Sequence, residues 1–134
     1  MRLATYRVPK AAGDPDDGEL AVFYFGKGKG GDVESNLDRW KGQFSDVKKD
    51  AVRQTERTVN GLPAHLLEID RGTFASGMPG APPTANKDYG LIGAIVETPA
   101  GSYFFKLTAP EKTVKASRAE FLTMIASVKM DAAP

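Results

Sequence analysis

Residues 89–97, YGLIGAIVE, are apolar on both sides of an extended chain, and this constrains the fold more than any other stretch. A strand with two apolar faces has to be covered on both, which makes it the centre of a sheet. Thr98-Pro99-Ala100-Gly101 turns the chain, and SYFFKLT (102–108) returns beside it as an antiparallel neighbour. ELAVFYF (19–25) has the same two-sided character, with Leu20, Val22 and Tyr24 opposing Ala21, Phe23 and Phe25. It forms a hairpin with LATYRV (3–8), which Pro9 closes, through the polar turn AAGDPDDG (11–18).

A second hairpin centres on Asn60-Gly61, a strong turn signal. VRQTERTV (52–59) alternates but is rich in charge, which suits an edge strand. LPAHLLEID (62–70) returns with Leu67 and Ile69 on one face and Leu66, Glu68 and Asp70 on the other. Two segments carry helical spacing instead. In 32–44, Val33, Leu37, Trp40 and Phe44 form one stripe behind an N-capping Asp32, with Glu34 in the first turn. In 111–127, Val114, Phe121, Leu122 and Ile125 form the inner stripe.

The order β-β-α-β-β-β-β-α predicts an α+β fold. We expect an antiparallel β-sheet of about six strands in an α-β-α sandwich, with one helix on each face, as a single domain over 1–134. A formal charge of +1 provides no global field toward nucleic acid or anionic lipid. No apolar run approaches the roughly 20 residues that span a bilayer. The chain has no cysteine, so disulfides, thiolate metal sites and a cysteine nucleophile are absent from this sequence. The start, MRLATYRVPK, lacks the apolar core of a signal peptide, and we expect an upstream leader or membrane tether to have been removed.

GKGKGGDVESNLDRW (26–40) spells G-x-G-x-x-G at Gly26, Gly28 and Gly31, between a strand and a helix. A dinucleotide fingerprint needs a parallel βαβ unit, yet the next strand here turns at once into the Asn60-Gly61 hairpin. Asp32 also competes with a phosphate for the free helix N–H groups, and no Lys-Ser/Thr pair completes a Walker loop. The glycines therefore read as a structural turn, with Lys27, Gly28, Lys29 and Gly30 as the alternative anion contact.

His65 is the single histidine, which leaves it without a partner for a histidine metal pair, and it reads as a hydrogen-bonded structural residue. We expect no metal site, no cofactor and no catalytic residues. Glu68 and Asp70 read as a solvated carboxylate pair. No G-x-S-x-G surrounds Ser76. Lys48, Lys49, Arg53 and Arg57 are interleaved with Asp50 and Glu56 and lack aromatic partners, so they read as a solvated edge rather than a nucleic-acid site. The segment from about 75 to 88 reads as a long irregular loop, the length at which loops are often functional. Disorder or simple bridging is one reading of it; the other is an interaction loop carried by Phe74, Met78, Pro79, Pro82 and Pro83.

The glycine corner leading into Val33-x-x-x-Leu37-x-x-Trp40, the Asn60-Gly61 hairpin, and YFFKLTAP followed by Phe121-Leu122-x-x-Ile125-x-Ser127-Val128 together resemble the PsbP-like family. That fold is shared with the Ran-binding Mog proteins and bacterial periplasmic lipoprotein domains. The family's amino-terminal part is usually longer than the one here. The resemblance implies a non-enzymatic accessory or protein-interaction domain, often outside the cytoplasm, and carries over no functional residue. We expect a monomer with a protein partner and no nucleic acid. The alternative is a small-molecule or nucleotide-binding enzyme domain that uses the Gly26–Gly31 corner.

Overall fold

The computed structural model describes residues 2–76 and 84–129. Its elements are β1 (Arg2–Val8), β2 (Gly18–Tyr24), α1 (Val33–Gly42), β3 (Phe44–Ser45), β4 (Val52–Val59), β5 (Leu62–Ser76), β6 (Thr84–Thr98), β7 (Gly101–Pro110) and α2 (Glu111–Ala126). They form a seven-stranded antiparallel sheet with two helices, an α+β architecture. The strand order is β1-β2-β7-β6-β5, with β3 and β4 both pairing to β5. The strand beyond the expected six is β3. Phe44 does not extend the α1 stripe as its spacing predicts: the helix ends at Gly42, and Phe44 pairs with Phe74, ring centroids 5.0 Å apart.

Residues alternate between the two sides of a strand, and β5–β7 use both sides. Leu66, Ala94, Val96, Leu107 and Ala109 cluster with Val114, Phe121 and Ile125 of α2. Leu67, Ile69, Leu91, Ile95 and Phe104 cluster with Leu37 and Trp40 of α1. β6 is central and buried along its middle, as its two-sided apolar pattern predicts. β4 lies at the edge, exposed along most of its length. Asn60 (φ 50°) and Gly61 (φ 81°) make its hairpin turn in the left-handed region that this pair tolerates.

The start of α1 is capped locally, and both ends of α2 are satisfied from distant parts of the chain. Asp32 accepts from Ser35 N at 2.7 Å, the expected N-cap. Asp14, in the β1–β2 turn, accepts from both the backbone N (2.7 Å) and the hydroxyl (2.6 Å) of Thr113 at the start of α2. Asn60 Nδ2 donates to Ala126 O (3.1 Å) and Val128 O (2.8 Å) at its other end.

The expected irregular loop is strand at both of its described ends. β5 continues to Ser76 and β6 starts at Thr84, paired as Ser76↔Thr84 and Ala75↔Ala85. Small residues and a paired polar side chain make this possible, as Asn86 Nδ2 donates to Phe74 O at 3.0 Å and Ser76 Oγ at 2.8 Å. Met78, Pro79, Pro82 and Pro83 lie outside the described residues.

Candidate functional site

On the side of the sheet that α1 occupies, the helix reaches only part of the surface. Trp40 is laid against β6 where Gly93 leaves room: a Cβ at that position would come 2.5 Å from Trp40 Cζ3. Beyond the indole the sheet floor is open. Lys106 of β7 stands there, opposite Gly93 of β6 on one side and Ala21 of β2 on the other. Both neighbours are small, so the lysine rises beside a cleft of about 520 Å³. Arg2, Glu19 and Phe23 form one wall, and Gln43, Phe74 and Ser76 the other.

The amine of Lys106 is held between rings. Its Nζ lies 5.8 Å from the Trp40 ring centroid and 5.5 Å from that of Phe74, within cation–π range. It donates to Gln43 Oε1. Among the described residues no carboxylate lies within ion-pair distance of it. Burial lowers its pKa from 10.5 to about 8; Arg39 and Arg2 push the same way, and Glu19 opposes them. Arg2 lies over Phe23 at 5.1 Å and pairs with Glu19 at 3.4 Å across an exposed edge. The site therefore offers a half-buried amine between two rings, with no ion-pair partner among the described residues, and a rim where Arg2 is paired with Glu19. Such an arrangement favours an incoming negative group.

The other charged clusters are closed on themselves. Glu68 is not solvated as its strand position predicts: it is 6% exposed and accepts from Arg118 Nε at 2.6 Å. Asp70 accepts two bonds from Arg53, at 2.7 and 2.8 Å, and that guanidinium holds its carboxyl below the usual range. His65 Nε2 lies 2.8 Å from Glu97 Oε2 and Nδ1 3.5 Å from Glu56, a hydrogen-bonded position as expected. Among the described residues no group of three or more His, Asp or Glu side chains is placed to hold a metal.

At the glycine corner, Gly26, Gly28, Gly30 and Gly31 all have φ between 72° and 89°, a conformation that few other residues adopt. Asn36 is buried and ties the corner to α1 through bonds to Gly30 O and Asp32 O, both 2.8 Å. A shallow depression of about 590 Å³ is lined there by Lys27, Gly28 and Lys29, but also by Asp32 and Glu97. Its two lysines thus face two carboxylates, and the helix N-terminus is already capped.

Of the expected anion-contact and interaction-loop residues that are described, Phe74 lines the Lys106 cleft; Ser76, set aside as a nucleophile, lines it too. Lys106, Arg2 and Gln43 were missed. Parity carried a usable signal: in YFFKLT, Lys106 falls on the same face as Phe104, an inward position for a charged side chain.

No family model matches the chain, and no curated protein matches it. Among solved structures it is similar to a protein of unknown function, PA94 from Pseudomonas aeruginosa, described as a candidate regulator. The TM-score is 0.67 at 10% identity, covering 97% of this chain and 83% of that one. At that identity the likeness concerns the fold. No helix among the described residues is long and apolar enough to cross a membrane.

Proposed function

We propose that this chain is a non-enzymatic accessory domain of the PsbP-like kind, a single monomeric α-β-α sandwich with one helix on each face, working outside the cytoplasm. In this reading it holds an acidic segment of a protein partner in the Lys106 cleft. The observation that carries the reading is a half-buried amine with no ion-pair partner among the described residues, opening on a cleft that Arg2 also lines. The two separate core clusters, one with each helix, support the sandwich. A protein partner is favoured by the edge strand that borders the cleft. That strand, β1, is exposed along most of its length, and its Arg2 lines the cleft.

An NMR titration with a glutamate-rich peptide tests this. Shifts should concentrate on Gln43, Phe74, Ser76 and Lys106, weaken as salt is raised, and disappear in Lys106→Gln. A lysine-rich peptide should leave those signals in place. Shifts confined to residues 26–31 and abolished by a Lys27→Ala/Lys29→Ala double substitution would favour the nucleotide or small-molecule alternative instead.

A further inference from the structure

An edge strand turns every second N–H and C=O away from its neighbour, and proteins blunt such edges with charge. The sheet has two edges, β4 and β1. β4 is blunted on both sides, by Arg53 and Arg57 on one and Glu56 on the other. Among the described residues β1 pairs with β2 alone, and only one of its sides is charged. Ala4 and Tyr6 stand opposite Val22 and Leu20, on the α2 side. The register shift between Arg2 and Ala4 brings Leu3 to that side too, where it lines a cleft of about 650 Å³ with Val22 and Val128. α2 lies over β5, β6 and β7, so this flank of the edge is apolar and open: Leu3 is 52% and Tyr6 57% exposed. Arg2, Thr5 and Arg7 stand opposite Phe23, Ala21 and Glu19, on the α1 side. That side of the strand is basic.

We propose that β1 is a strand-addition surface for an extended segment of a protein partner in which acidic residues alternate with apolar ones. Such a segment matches both sides of the edge: its apolar residues meet Leu3 and Tyr6, and its acidic ones meet Arg2 and Arg7. The existing ion pairs do not use those arginines up. Arg2–Glu19 at 3.4 Å and Arg7–Asp17 at 3.3 Å are solvent-facing, and each guanidinium has five N–H donors. The outward main-chain groups supply hydrogen bonds to any sequence, and the side chains supply the selectivity. A second copy of this chain fits the edge less well. Antiparallel pairing of β1 with itself gathers Arg2 and Arg7 of both copies on one side, with no carboxylate on either strand. The proposal rests on the protein-partner reading above and gives that partner its mode of attachment.

The test titrates the protein with a capped peptide of alternating glutamate and valine, as long as the seven residues of β1, and follows amide exchange by NMR. The β1 amides that point away from β2 should gain protection, with intermolecular NOEs from the valine methyls to Leu3 and Tyr6. A peptide of alternating lysine and valine should give neither. Tyr6→Lys and Arg7→Glu, both at exposed positions, should each weaken binding roughly fivefold or more. Lys106→Gln should leave the β1 protection in place, which separates this contact from the one in the Lys106 cleft. Shifts at Gln43 and Lys106 with unchanged β1 exchange would keep the cleft reading and sink this one. Equal protection by the two peptides, or loss of protection in Lys106→Gln, would also overturn the proposal. So would protection that grows with protein concentration alone, the mark of a second copy.

Discussion

Replacing Lys106 with Met removes a disfavoured charge while keeping an unbranched chain between Trp40 and Phe74. The drop in pKa from 10.5 to about 8 corresponds to about 3 kcal/mol of destabilisation by the ammonium. Losing the hydrogen bond to Gln43 returns about 1 kcal/mol of that. Lys106→Met should therefore be more stable than the parent by about 2 kcal/mol at pH 7. The folded pKa lies below the unfolded one, so the unfolded chain binds more protons between about pH 8 and 10.5. Parent stability should rise with pH across that window, and the advantage of the variant should shrink with it. Urea unfolding at stepped pH, followed by the fluorescence of Trp40, the single tryptophan, measures both curves. The comparison is read below pH 10. Above it, Tyr89, pushed up to about 12 by burial and its bond to Asp16, has its own contribution, which is lost as pH rises through that value. A flat parent curve from pH 7 to 10, or a variant less stable at pH 7, would show that the fold does not disfavour the Lys106 ammonium.

Gly93→Ala should lower stability by about 1–3 kcal/mol, because the added methyl meets the Trp40 ring at 2.5 Å; the urea midpoint reads it. Trp40→Ala, from the other side of that contact, should cost about 3–5 kcal/mol, and an unchanged midpoint would show that Trp40 is no core anchor. Asp32→Ala should lower the urea midpoint and speed amide exchange at Ser35, whose N–H it caps. Asn60→Ala should cost about 1–2 kcal/mol, since it removes two bonds to the end of α2 and strains a left-handed residue. Asn60→Gly keeps the conformational freedom and separates the two effects in the same assay.

What was legible in the sequence followed from periodicity and turn chemistry. The two-sided apolar run in β6, the charged alternation of β4, the Asn60-Gly61 turn and the Asp32 cap each express a local rule that the tertiary structure did not override. Phe44 was misplaced because 4-3-4 spacing cannot register that the helix stops two residues earlier and hands its last aromatic to a strand. The ends of β5 and β6 were hidden because glycine, proline and polar residues resemble a loop, while Asn86 supplies the side-chain bonds that extend the ladder. Glu68 was read as solvated because its partner, Arg118, lies 50 residues away. The Lys106 cleft depends on four distant pieces, β1, β2, β7 and the Gln43–Phe74 side, meeting over two small residues. No linear pattern encodes that meeting, although an inward-facing lysine on an aromatic strand marks one of its members.

The role proposed for the cleft turns on whether the Lys106 ammonium is disfavoured until a negative partner meets it. Its most direct test is the pH titration of the Lys106 side chain by NMR in ¹³C-lysine-labelled protein, assigned by loss of the signal in Lys106→Arg. The midpoint should lie at about 8 and move upward when the glutamate-rich peptide is bound. A midpoint at the ordinary 10.5, or one that the peptide leaves in place, would contradict that role.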